Sequence, residues 1–204
     1  MHRFLWILFP LIAATYEVDS SARHIVAHEW GTFTSIADKD GHAVEWNSIA
    51  GPDDLPCFVR RLPSPWTKSS FLSRVRMETP VIYFYSPREA TVSVKVDFPR
   101  GLLTEWYPHA DDYGPNTAGP GRLQWGHVRI TPGAGDRFLQ EPGSSHYYAA
   151  RDADADPIEV RKQGETEWEK FIFYRGVGWF APPIVSLCKL SGVELCALFG
   201  VSPR

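Results

Sequence analysis

The run Thr91-Val92-Ser93-Val94-Lys95-Val96-Asp97-Phe98 alternates polar and apolar residues without a break. Successive side chains of an extended strand point to opposite faces. Val92, Val94, Val96 and Phe98 therefore predict a buried face, and Thr91, Ser93, Lys95 and Asp97 a wet one. Such a strand belongs to an antiparallel sheet packed on one side only. Its apolar face needs a second layer to cover it.

Other segments carry the same signature. Val81-Ile82-Tyr83-Phe84-Tyr85 is apolar on both faces, as an interior strand is. The link Ser86-Pro87-Arg88-Glu89 suits a turn, so Val81–Tyr85 and Thr91–Phe98 are expected to form a hairpin. Leu123 and Trp125 share one phase and Val128 and Ile130 the other, which predicts a β-bulge at Gly126. Phe171-Ile172-Phe173-Tyr174 is a short apolar strand that Arg175-Gly176 should end. Segments 111–121 and 131–135 are loops rich in Gly, Pro, Asn and Asp. With 17 Pro and 16 Gly among 204 residues, turns are frequent, and the 14% aromatic content favours sheet over helix. Neither a repeat nor a heptad pattern is present. The expectation is one all-β domain over residues 23–183, an antiparallel β-sandwich of immunoglobulin-like or jelly-roll-like type.

The amino terminus predicts export. Met-His-Arg supplies a basic start, and FLWILFPLIAA is too short to cross a hydrocarbon core of ~30 Å. A signal peptide over residues 1–22 follows, with Ala14 and Ala22 as cleavage positions and the periplasm or medium as destination. The alternative is a frayed apolar terminus or an uncleaved anchor. No later segment reaches the ~20 apolar residues of a spanning helix, so none is expected after cleavage. A net charge of -3 gives no basic footprint for nucleic acid. Cys57, Cys188 and Cys196 are an odd set without CxxC spacing, so at least one thiol lacks an intrachain partner.

The strings HEWGTFTS, DLPCFV, RMETPVIYFYSP, FPRGLLTEWYP, HYYAARDADADP and EKFIFYRGVG resemble a family of uncharacterised exported bacterial proteins. The resemblance runs from about His28 to about Gly178 and lends no activity. It implies a longer protein with further strands after the FYRGVG segment. Residues 184–204, with two of the three cysteines, read as a divergent tail or as the product of a frameshifted or truncated frame.

Few residues carry the spacing of a known chemistry. His24 and His28 are four apart, which brings side chains together on a helix but not on a strand. His28-Glu29 lacks the second histidine of HExxH. Asp152, Asp154 and Asp156 imitate the start of a calcium loop, but Pro157 stands where such a loop needs glycine, and Gln163 replaces its closing glutamate. An exposed acidic turn is the expectation. GxSxG, P-loop and GxGxxG motifs are lacking.

Two polar groups stand out within strands. Arg76 and Glu78 fall in phase with Ile82 and Phe84, and charges aimed at a core need partners or water. Glu105 and Arg175 are available counter-charges. Together they make either a structural ion network closing one end of the sandwich or a polar pocket for a ligand bearing hydroxyl or carboxylate groups. Trp106, Tyr107 and Trp125 are either core aromatics or a stacking platform for sugar rings.

Two functions of different classes follow. The leading one is a non-catalytic exported module that binds a glycan, a surface polymer or an envelope protein, and it needs no cofactor. The other is a copper-dependent oxidoreductase. Cleavage after Ala27 would make His28 the first residue, whose amine and imidazole can chelate copper with His109, His127 or His146, in the manner of polysaccharide monooxygenases. Otherwise HEWGTFTS is a first strand, with Trp30 and Phe33 expected to pack inward.

Overall fold

A computed structural model of the chain describes residues 24–48, 54–61, 72–78, 80–114, 121–135, 137–143, 145–180, 184–190 and 194–200. The expected signal peptide and its cleavage positions lie outside them. The strands of the first half are β1 (Val26–Trp30), β2 (Phe33–Thr34), β3 (Ile36–Ala37), β4 (Ala43–Val44), β5 (Arg60–Arg61), β6 (Val75–Met77), β7 (Val81–Tyr85) and β8 (Ala90–Phe98). Then come β9 (Gly101–Tyr107), β10 (Asp112–Tyr113), β11 (Gly121–Ile130), the short helix α1 (His146–Ala149), β12 (Ile158–Lys162) and β13 (Glu165–Glu169). The last are β14 (Phe171–Gly178), β15 (Ile184–Leu190) and β16 (Glu194–Gly200).

Two antiparallel sheets pack face to face, so the protein is an all-β sandwich. In the smaller sheet β11 is central. β8 runs along one of its edges, β10 and β12 share the other, and β13 continues beyond β12. In the larger sheet β14 is central. β7 and β6 follow one another along one edge, β9 lines the other, and β5 lies beyond β9. β1 pairs with β7 and β2 with β6, so the HEWGTFT segment forms the outer border of this sheet.

The alternation in β8 has its predicted sense: Thr91, Ser93, Lys95 and Asp97 are exposed, while Val92, Val94, Val96 and Phe98 pack on the inter-sheet core. The β11 register shifts between Trp125 and Val128, around Gly126, as the phase switch requires. That bulge lets Leu123, Trp125, Val128 and Ile130 all point inward, each fully buried. Opposite them sit Met77, Ile82, Phe84, Leu103, Trp106, Ile172 and Tyr174 of the larger sheet.

Four expectations are corrected. β7 and β8 do not pair; the Ser86–Glu89 link carries the chain from one sheet to the other, β7 joining β1 and β14 while β8 joins β11. The FIFY strand does not stop at Arg175-Gly176 but continues to Gly178, buried at every residue, because it is paired on both edges and covered on both faces. Gly176 permits this: a Cβ there would stand 2.4 Å from the Leu102 carbonyl oxygen. Trp30 and Phe33 are not packed inward; they are 60% and 63% exposed, since a border strand has a neighbour on one side only. Finally, Met77 rather than Arg76 joins Ile82 and Phe84 in the core, because the side-chain phase changes between β6 and β7.

The outer face of the larger sheet is covered too. Val81, Tyr107, Phe171 and Phe173 form a second apolar cluster with Leu55, Val59 and Tyr147, supplied by the loop before β5 and by α1. Ser145 starts that helix by accepting a hydrogen bond from the Tyr147 N–H at 3.2 Å.

Candidate functional site

Where β6, β9 and β14 run side by side, the sheet carries a polar cavity of about 30 Å³ lined by Ser48, Arg76, Thr104, Glu105, Arg175 and Val177. The strand registers bring these residues together: Arg76 stands opposite Val177, and Glu105 opposite Arg175. The shift between Arg175 and Gly176 leaves Thr104 as the extra residue in β9. Arg175 is almost fully buried and satisfied inside the protein. Its Nε donates to the Glu78 carbonyl at 2.9 Å, and both terminal nitrogens reach Asp54 Oδ1 at 3.4 Å. Arg76 Nε lies 3.1 Å from Glu78 Oε2, and the Thr104 hydroxyl donates to the Glu105 carboxylate. Each guanidinium has a carboxylate neighbour, Glu78 for Arg76 and Asp54 for Arg175, which is the condition for burial without a large penalty.

The four charged residues named from the sequence thus meet, with Glu78 contributing its carboxylate to Arg76 and its carbonyl to Arg175. Trp106, the fifth, does not. It is buried between the sheets, its ring 5.2 Å from that of Tyr113, and its Nε1 finds no hydrogen-bond partner. Tyr107 and Trp125 are fully buried, so these aromatics are core and not a platform for sugars. A cavity of this size holds one or two waters; sites for small molecules run to roughly 300–1,000 Å³.

A second polar cluster was not anticipated. Glu169, at the end of β13, is fully buried. Arg151 grips it with Nε on Oε1 at 2.9 Å and Nη2 on Oε2 at 2.7 Å, the Tyr147 hydroxyl donates at 2.9 Å, and the Lys170 N–H at 2.8 Å. Burial, followed by the charge of Glu169, pushes the Tyr147 phenol well above its usual range. The Tyr107 phenol is also raised, by burial first and Glu167 next, and its hydroxyl has no partner. In the sequence, ETEWEK looks like an exposed charged strand, so Glu169 gave no local sign of burial. Only the proximity of an aromatic run, HYY, to an arginine hinted at a lid with a buried anchor.

His28 lies mid-strand opposite Tyr83, its ring 5.3 Å from that of Tyr85. His127 is exposed beside the bulge, His146 opens α1, and His109 follows β9, its imidazole pushed down mainly by burial. Among the described residues no three His, Cys, Asp or Glu side chains gather where they could hold a metal ion. Asp152 and Asp154 are exposed, and Asp156 accepts the Ser86 N–H at 2.6 Å instead of facing a cation loop. No protein-family model, curated protein or solved structure matches this chain. No helix among the described residues is long and apolar enough to cross a membrane.

The β1–β2 border differs in kind from both clusters. Among the described residues β1 pairs only with β7, and all five of its residues are exposed. Trp30 stands opposite Val81, whose side chain belongs to the outer cluster, and Phe33 opposite Met77 of the inter-sheet core. Large apolar side chains therefore emerge from both faces of this border, Trp30 from β1 and Phe33 from β2. Its backbone groups can extend the ladder, and its side chains can flank whatever adds to it.

Proposed function

We propose that this protein is an exported, non-catalytic binding module of the cell envelope or extracellular space, and that it engages a protein partner by accepting an extended strand along β1. The exposure of Trp30 on β1, whose second edge has no partner among the described residues, carries the reading, with Phe33 exposed beside it on β2. Natural sheets blunt such edges with lysine, proline or a covering segment. Here β1 has the sequence Val-Ala-His-Glu-Trp, and an aromatic follows in β2. The polar cluster around Arg76 and Arg175 supports the same reading: both guanidiniums are already paired within the protein, and Thr104 ties β9 to the Arg175 carbonyl of β14.

The test is a full-length chain made in a bacterium, with a photo-crosslinking residue at Trp30 or, as control, at Lys95. Adducts with a protein at position 30 alone, lost in an Ala27→Pro variant, are expected in the periplasm or medium. Equal labelling at both positions, or none at 30, would refute the strand-addition reading. An uncleaved chain confined to the cytoplasm would refute export.

A further inference from the structure

The two cysteines of the tail occupy facing positions. β15 and β16 pair antiparallel, with Leu190 opposite Glu194 and Cys188 opposite Cys196. Directly opposed Cα atoms of an antiparallel pair lie roughly 4.5 or 5.5 Å apart, depending on whether the pair is hydrogen-bonded. A disulfide spans Cα separations of about 4.4–6.8 Å. Either kind of pair meets that requirement, so the backbone register alone satisfies the main geometric condition for a bond.

A second observation concerns the hairpin itself. Among the described residues β15 and β16 form a sheet of two strands and pair with no other strand. A lone two-stranded hairpin is marginal in water, and a cross-strand covalent tie is one of the few devices that hold one. The third cysteine is placed differently. Cys57 is an exposed free thiol in the loop before β5, its backbone N–H held by the Glu141 carboxylate at 2.9 and 3.1 Å.

We propose that Cys188 and Cys196 are joined by a disulfide across the β15–β16 hairpin, with Cys57 left reduced. The two thiols lose two protons and two electrons as the sulfur–sulfur bond forms. A disulfide oxidant, small-molecule or protein, accepts them and becomes two thiols. In the cell the bond rests on the export reading, because exported compartments are oxidising. The chemistry of the pair does not.

The test uses the purified full chain, fully reduced and then equilibrated with oxidised and reduced glutathione. Free thiols are alkylated and the digest is read by mass spectrometry. The expected result is alkylation at Cys57 alone and a linked peptide pair containing Cys188 and Cys196. In Cys57→Ser no thiol should alkylate and the same link should persist, which excludes shuffling through Cys57. Alkylation of both tail cysteines under oxidising glutathione, or a link from either to Cys57, would overturn the proposal. The fractionation experiment above reads export separately.

Discussion

Arg151 holds Glu169 through two guanidinium N–H donors, at 2.9 and 2.7 Å, at a carboxylate that no solvent reaches. The arginine follows α1 and the glutamate ends β13. One ion pair therefore fastens the outer cover to the strand that leads into β14. Its guanidinium also lies over the rings of Phe138, Tyr147 and Tyr148. Replacing Arg151 by Ala would leave the carboxylate buried without its counter-charge. The expected loss is about 3–5 kcal/mol in urea unfolding. Arg151→Met combined with Glu169→Leu should recover much of it, and failure to recover would show that the clamp acts by more than charge compensation.

Aromatic substitutions separate border from core. Trp125→Ala removes a fully buried ring whose Nε1 donates to the Pro108 carbonyl at 2.9 Å, and should destabilise by about 3–5 kcal/mol. Trp30→Ala removes an exposed one and should change stability by no more than about 0.5 kcal/mol. Comparable losses in thermal unfolding would mean that Trp30 is covered in solution.

High pH should unfold the cover first. The Tyr147 phenol has a folded pKa above its ordinary value of 10.0, because burial and Glu169 disfavour the phenolate. Folding thus favours the protonated form. That contribution is complete below the unfolded value and is lost as pH rises through the folded one. Urea midpoints should hold steady up to about pH 10 and then fall, and Tyr147→Phe should flatten the decline. A fall of equal steepness in that variant would assign the transition to other groups.

Gly176→Ala tests the closest approach in the larger sheet. The added methyl would meet the Leu102 carbonyl oxygen at 2.4 Å and Met77 Cε at 2.9 Å. The methionine can turn aside; the backbone cannot. A loss of about 1–3 kcal/mol is expected in chemical unfolding, and an unchanged midpoint would place β9 farther from β14 than described.

The β8 alternation and the β11 phase switch were legible because each depends only on which face of one strand is buried. Sheet membership was not. Ser86-Pro87-Arg88-Glu89 is as suitable for a crossing between layers as for a hairpin, and local turn chemistry does not distinguish them. Trp30 misled for a related reason: apolar character predicts a preference for burial, not whether a neighbour exists to provide it. The meeting of Arg76, Glu78, Glu105 and Arg175 was anticipated from the need for counter-charges. Its face was not, because the phase change between Met77 and Val81 leaves no mark in the residue pattern. Glu169 was invisible because its burial is imposed by α1 and Arg151, which belong to another part of the chain.

The position of β14 at the centre of the larger sheet also bears on the order of synthesis. β1, β6, β7 and β9 all leave the ribosome before residues 171–178, yet β14 is the strand that joins the two sides of that sheet. Until it arrives, no described strand links β9 to β6 and β7, and the edges that β14 will pair are open. A nascent chain without β14 should be open to proteases along both halves, and the larger sheet should close in a single late step.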